Sequence, residues 1–316
     1  MVNILFLFLG IVGLWIGTEL TVRSAIKIAR GFNVSELFIG LTILAFGSDL
    51  PEFVLAIDGA LRGARGMDVS DVIVGNALGS SICQITLIMG IISLFHFLTV
   101  GKVQIKNFAT ELIGSTILLY LVAFDHSITW NDGAMLIIAF FMYISTLLER
   151  ERKGKRGVSK KYENRPILVL LHSSALIAGV TIVVLSSDFT IEKALSIADG
   201  WGIQQSVIGA IIIGFGTSLP ELAISINAIL KGKPGLSIGN VVGSNIFDLL
   251  MPLGVGSLIS KIHVDTGFLW FDLPFLLLVS MVFLLFLKRK KGLQKHEGAL
   301  LVALYLVYVL VKTSLK

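Results

Sequence analysis

GSDLPE, at Gly47–Glu52, and GTSLPE, at Gly216–Glu221, each set Gly, a hydroxyl residue, Pro and Glu inside a long apolar segment. A carboxylate at bilayer depth is costly and faces a bundle interior or an aqueous pathway. Proline has no backbone N–H, so the ladder opens and carbonyl oxygens near Pro51 and Pro220 lose their partners. A carboxylate beside freed carbonyls and a hydroxyl is a set of oxygen ligands for a hard cation. The arrangement occurs twice in matching contexts, and that duplication is the main clue to function.

Working outward, the 316 residues are 55% hydrophobic and 15% charged, with mean hydropathy +0.88. A soluble domain carries about 25% charged residues, so this is an integral membrane protein through most of its length. The apolar start, MVNILFLFLGIVGLWIGTEL, lacks a basic n-region and a small-residue cleavage site; it reads as a retained first span, not a signal peptide. Cys83 is the single cysteine, which excludes an internal disulfide. The five histidines are scattered without zinc or haem spacing, and nothing calls for an organic cofactor. The net charge of +5 is read as topology-setting loop charge, not as a nucleic-acid surface.

Segments of about 20 apolar residues fall at 3–23, 34–61, 71–99, 105–124, 129–148, 166–188, 203–230, 236–259, 266–287 and 297–313, ten spans in all. The connections after the odd-numbered spans hold Arg23, Lys27, Arg30; Lys102, Lys106; eight basic residues from Arg150 to Arg165; Lys231, Lys233; and Lys288 to Lys291 with Lys295. These are 20 of the 26 Lys and Arg residues. Arg62, Arg65, Lys193, Lys261, Lys312 and Lys316 remain on the other side. By the positive-inside rule both termini lie outside a plasma membrane and the 150–165 loop is cytoplasmic. That loop is a solvated linker, with anionic lipid as the alternative partner. It separates a first half, 1–149, from a second, 166–316.

The halves repeat. FIGLTILAFGSDLPE (Phe38–Glu52) matches VIGAIIIGFGTSLPE (Val207–Glu221) at an offset of 169, which also sets Glu19 on Asp188. VGNALGSSICQ (Val74–Gln84) then matches IGNVVGSNIFD (Ile238–Asp248). Five spans per half put successive halves in opposite orientations. The fold expected is all-α, ten transmembrane helices as two inverted five-helix repeats with broken helices at the centre, the architecture of many secondary transporters.

Helical spacing shows which side chains converge. Ser48 and Glu52 share a face, as do Thr217 and Glu221. Asn76, Ser80 and Gln84 form a stripe at the same spacing, and Asn240, Ser244 and Asp248 its counterpart. Gly75, Gly79, Gly239 and Gly243 allow close backbone approach, although small residues also line ordinary helix contacts. Packed together, the four segments place two glutamates, one or two aspartates, hydroxyls, amides and freed carbonyls at one centre. Emptying such a centre leaves unpaired charge in a low dielectric, which favours obligatory exchange over leak. Cys83 reads as a small buried hydrophobe. Asp58 and Glu111 are embedded but lie outside the repeat pattern.

Both repeats resemble the α-repeats of the calcium/cation antiporter superfamily, in particular its prokaryotic sodium/calcium exchanger branch. The resemblance spans nearly the whole chain through the G-[TS]-S-x-P-E and GN-x-x-GS-N motifs. It implies exchange of external sodium for internal calcium by alternating access, with Glu52 and Glu221 as calcium ligands. It further implies Ser48, Thr217, Ser218, Ser80 and Ser244 as sodium ligands, Ala45 and Gly214 as carbonyl donors, and Asp248 as the acid of the second repeat. Spans one and six would slide against the core. Two positions depart from the pattern. Asp49 stands where a second hydroxyl is usual, and Gln84 where Asn or an acid is usual, so the acid at 49 bears on coupling and on the counter-ion.

Three other functions compete. A proton-coupled calcium exchanger would run on a pH gradient. In a cation channel the acids would form a selectivity ring, but such filters come from several subunits around an axis. An intramembrane hydrolase needs a catalytic pair that the second motif does not match.

Overall fold

The computed structural model describes residues 2–30, 45–99, 102–154, 166–230, 232, 234–290 and 292–314. The first part of span two (34–44), Lys231 and most of the basic loop (155–165) lie outside the described residues. Helix α1 is Val2–Arg30. Span two is described as α2, Ala45–Ser48, followed by α3, Leu50–Ala64. Span three is α4, Ser70–Cys83, which widens into a π-helical turn at Gln84–Ile88 and ends as α5, Met89–Phe95. Next come α6, Lys102–Val122, α7, Trp130–Gly154, and α8, Pro166–Trp201. Span seven is α9, Gln205–Val207, a π-helical stretch Ile208–Ile213, α10, Gly214–Thr217, and α11, Leu219–Leu230. Helix α12 is Pro234–Ile259, α13 is Leu273–Lys290 after a π-helical Phe268–Asp272, and α14 is Lys295–Ser314. Among the described residues nine stretches are long and apolar enough to cross a membrane, each at an expected span; the second span is described only from Ala45.

Three expected ends move. Span six runs to Trp201 instead of residue 188, span one to Arg30 instead of 23, and span five to Gly154 instead of 148, into the start of the expected loop. None of the extensions contains a proline, and residues such as Ala, Lys, Glu and Ile continue a helix at little cost. At 1.5 Å per residue, the 36 residues of α8 reach roughly 54 Å. That exceeds the roughly 30 Å hydrocarbon layer, so this helix tilts or projects beyond it. Lys193, expected in a loop, is therefore on a helix.

Helices α1 and α8 pack antiparallel through small residues. A Cβ on Gly13 would fall on the Ser186 side chain, and one on Gly17 would come within 2.8 Å of the Gly179 carbonyl. Asn3 Nδ2 donates to Ser196 Oγ at 2.7 Å at one end. Lipid tails are as apolar as leucine, so helices associate here by close approach, which glycine permits, more than by hydrophobic burial. The pair carries its own apolar cluster, including Leu7, Ile11, Leu14, Val183 and Ile191, separate from the larger cluster of the bundle. Arg62 ties α3 to this pair by contacting both the carboxylate and the carbonyl of Asp188, with Asp58 3.7 Å from its Nε. Asp58, embedded but outside the repeat pattern, thus has Arg62 four residues on in its own helix as a partner. Glu19, the repeat counterpart of Asp188, pairs with Arg23 of its own helix.

The bundle is tied at both faces by matched pieces. Strand β1, Leu98–Thr99, pairs antiparallel with β4, Gly292–Leu293, and β2, Ser127–Ile128, pairs with β3, Ile262–His263. β1 and β3 follow the stripe-bearing spans of their respective halves, and β2 and β4 each precede the last span. The repeat therefore converts one pairing into the other. Ion pairs follow the same rule. Arg150 Nη1 meets Glu111 Oε1 at 2.5 Å, between the last two spans of the first half. Lys312 Nζ meets Asp272 Oδ2 at 2.5 Å, between the last two of the second. Glu111 thus belongs to the repeat after all. Lys312, expected among loop charges, is 4% exposed in its side chain, and Tyr308 Oη also donates to Asp272, at 2.6 Å.

Candidate functional site: a buried oxygen-rich centre

The two motifs break their helices identically. α2, described over Ala45–Ser48, and α10, Gly214–Thr217, end 169 positions apart. Each ends at one non-helical residue, Asp49 at φ −82°, ψ 7° and Ser218 at φ −82°, ψ 3°. A new helix then starts with Pro51 or Pro220 in its first turn, where the missing N–H is harmless. Phe53 N donates to Asp49 O at 3.1 Å and Leu222 N to Ser218 O at 3.2 Å. Glu52 and Glu221 therefore stand in the first turns of α3 and α11 and are buried.

Helices α4 and α12 bring the polar stripes to these breaks. Their spans are 78% buried, the highest share of the nine, which puts them at the centre of the bundle. Glycine makes the approach possible on the α4 side. A Cβ on Gly79 would land on the Ala210 carbonyl, and one on Gly214 would come within 2.8 Å of Ser80 N. Gly79→Ala is expected to cost about 1–3 kcal/mol through overpacking. A thermal melt of the purified variant checks this; unchanged stability would mean that the crossing is loose.

At that crossing the two halves touch through hydroxyls. Ser80 Oγ lies 3.2 Å from Glu52 Oε1, 3.2 Å from the Gly214 carbonyl and 3.2 Å from Thr217 Oγ1. Thr217 Oγ1 reaches Asn76 Oδ1 at 3.0 Å and the Ile213 carbonyl at 3.1 Å. Ser218 Oγ donates to the Gly214 carbonyl at 2.8 Å. Gln84, expected to point into the centre as a ligand, is engaged on both sides of its amide. It donates to Asp248 Oδ2 at 3.1 Å and accepts from Asn245 Nδ2 at 2.7 Å. Asn245, the last residue of the GN-x-x-GS-N motif, had no role expected of it because it lies one position off the stripe.

Ser48, Asp49, Glu52, Ser80, Gln84, Thr217, Ser218, Glu221, Ser244 and Asp248 are all buried. The carboxylates of Asp49, Glu52, Glu221 and Asp248 lie within electrostatic reach of one another in every pairing. Both oxygens of Asp49 and of Glu221, Glu52 Oε2, Asp248 Oδ1 and Ser244 Oγ have no hydrogen-bond partner among the described residues. Oxygens so placed are costly unless a cation or proton meets them. Among the described residues no three His, Cys, Asp or Glu side chains converge in metal-holding geometry. Hydroxyl, amide and carbonyl oxygens stand beside the acids, Ser80 at Glu52 and Gln84 at Asp248, so the donor set is a mixed one. Pro252 stands inside α12 four residues after Asp248, and a proline there leaves the Asp248 carbonyl without its helical donor. Cys83 is buried, as a small apolar residue would be.

A multi-pass helical membrane protein whose centre is two broken helices with facing carboxylates has the form of a cation carrier. The chain matches the family described as sodium/calcium exchanger protein over residues 2–148 and 172–314, and it belongs to that family. It is 32% identical to a putative antiporter, CaxA, of Alkalimonas amylolytica, over 98% of each chain. It is 26% identical to the sodium/calcium exchanger MaX1 of Methanosarcina acetivorans, again over 98% of each. A structure of the sodium–calcium exchanger NCX_Mj, soaked with 10 mM Na+ and zero Ca2+, superposes with TM-score 0.69 at 30% identity, covering 99% of both chains.

Proposed function

We propose that this protein exchanges sodium for calcium by alternating access, with Glu52 and Glu221 as the calcium ligands contributed by the two halves, 1–149 and 166–316. The observation that carries the reading is the pair of identical helix breaks, each presenting one buried glutamate, joined across the halves by Ser80 and Thr217. Calcium accepts six to eight oxygens in adaptable geometry, and the centre offers carboxylates, hydroxyls, the Asn76 and Asn240 amides and the Gly214 carbonyl. Sodium suits the Ser80, Thr217, Ser218 and Gly214 group on one side, and Ser48, Asp49, Ser244 and the Ala45 carbonyl on the other. Asp248, held by Gln84, adds negative charge beside both ions.

Alternating access follows from the inverted halves: exchanging their conformations closes one entrance and opens the other. The matched strand pairings and ion pairs at opposite faces support this relation. Both termini lie outside a plasma membrane and the 150–165 loop inside, because the loops joined by β1 and β4 are the Lys- and Arg-rich ones. Lipid surrounds α1, α7 and α8, where Phe8, Phe141 and Leu185 are exposed. No organic cofactor enters the scheme.

Radiolabelled calcium uptake into sodium-loaded proteoliposomes tests the reading. Uptake is expected only with an outward sodium gradient. Uptake driven by a pH gradient alone would transfer the protein to proton-coupled exchange. Downhill calcium flux with no counter-ion would make it a channel.

A further inference from the structure

Arg62 has no task in the exchange scheme, yet it sits where two bodies of the molecule meet. Helices α1 and α8 lie across both broken spans, α1 against α2, α10 and α11, and α8 against α3. These contacts are apolar. A Cβ on Gly216 would come within 2.8 Å of Ile11, and Leu55 and Ile213 pack into the same cluster as Leu14 and Val183. Among the described residues, the only hydrogen bonds or ion pairs that join α1 and α8 to the bundle helices run from Arg62 to the carboxylate and carbonyl of Asp188.

That contact is built to open as well as to close. Asp58 stands one turn before Arg62, 3.7 Å from its Nε, and steadies the guanidinium from its own helix. The Arg62 side chain is 16% exposed and that of Asp188 63%. An ion pair so open to solvent is weak, because water solvates both charges once they part. Apolar surface is non-directional, so it tolerates a shift of one body along the other, and the polar tie selects one position. The repeat supplies a second position. The offset of 169 sets Asp188 on Glu19, which here pairs with Arg23 of its own helix and not with the bundle. When inverted halves exchange their arrangements, Asp188 takes the untied one that Glu19 has now.

We propose that Arg62 is a positioning residue for exchange: its contact with Asp188 holds α1 and α8 in one of two positions against the bundle and so sets the balance between the two access states. The proposal rests on the exchange reading above. The latch opens in every cycle, so it biases a population and does not block transport. Its loss moves the balance about fivefold toward the other position, the size of bias that a partly exposed pair can hold.

Electron paramagnetic resonance distances on the full chain in lipid nanodiscs test this, with spin labels on Trp201→Cys at the end of α8 and Thr146→Cys near the end of α7. Both positions are exposed, and Cys83 is buried away from the label. Asp188→Asn and Arg62→Gln are each expected to shift the populations of the two distances by about fivefold. The charge swap Arg62→Asp with Asp188→Arg is expected to restore them. In Asp188→Asn, half-saturating calcium at the two faces of proteoliposomes is expected to move in opposite directions, because one access state gains what the other loses. A purely structural defect would weaken both faces alike. Size-exclusion profiles confirm folding; should Arg62→Gln misfold, the half-exposed Asp188→Asn decides. Distances unchanged in Asp188→Asn, a shift that the swap leaves in place, or half-saturation that rises at both faces would overturn the latch while exchange stands. Populations that shift and recover in a chain without sodium-driven calcium uptake would overturn the exchange reading and leave the latch to a carrier of another ion.

Discussion

Glu52→Gln and Glu221→Gln each reduce sodium-driven calcium uptake by about a hundredfold or more. The substitution keeps the shape of the side chain and removes one negative charge from the centre. Breaking a buried charge pair by removing one partner costs about 3–5 kcal/mol, and every 1.4 kcal/mol is about a tenfold change in affinity. The two variants differ in their side effects. Glu52 Oε1 is hydrogen-bonded by Ser80, whereas both Glu221 oxygens are unpartnered among the described residues. Glu52→Gln therefore also disturbs Ser80, which bridges to Gly214 and Thr217 of the other half, and Glu221→Gln leaves that bridge intact. Uptake into proteoliposomes measures the loss. Retention of more than about a tenth of the uptake by either variant would remove that glutamate from the calcium ligands.

Lys312→Met produces the largest loss of stability expected outside the centre. Lys312 Nζ is 2.5 Å from the fully buried Asp272 and lies 4.3 Å from the centroid of the Phe268 ring. Methionine preserves the apolar stem but leaves the Asp272 carboxylate with Tyr308 alone. The cost is again about 3–5 kcal/mol, which corresponds to a fall in melting temperature of roughly 10 °C. The double variant Asp272→Asn with Lys312→Met recovers most of it, because a buried pair replaced as a pair leaves no lone charge. Arg150→Met at the repeat-related pair is the internal control. The Arg150 side chain is 44% exposed, so its loss costs at most about 1 kcal/mol. Scanning fluorimetry of the detergent-solubilised variants reads all three. Equal shifts at the two pairs would show that burial does not set their strengths.

The duplicated motifs and their offset of 169 were legible because a helix break is local. Proline and the residues just before it set the backbone without help from distant contacts, and the structure places the two breaks at the same offset with the same dihedral angles. The stripe Asn76, Ser80, Gln84 was likewise legible, since a spacing of four fixes a common face whatever that face meets. What such a stripe meets is not a local property. Only tertiary packing shows that Asn245 and Asp248 meet the Gln84 amide.

Charges misled for a related reason. Lys312 and Arg62 read as loop residues near the ends of apolar segments, because sequence shows hydropathy but not which acid lies across a helix contact. Asp272 and Asp188, which answer them, are 40 and 126 positions away. Glu111 had no apparent partner for the same reason, since Arg150 lies on the next helix, whereas Arg62 stands at helical spacing from Asp58 on one helix. The sequence by itself determined the membrane class, the spans and the repeated oxygen-bearing breaks, because hydrophobic length, proline and helical periodicity act within one segment. Only the tertiary structure decided that the Ser80 side of the centre is closed by hydrogen bonds while the Asp49 side has unpartnered oxygens among the described residues. That difference depends on which groups from separate helices come within about 3 Å, and it is where the two halves of this repeat cease to be equivalent.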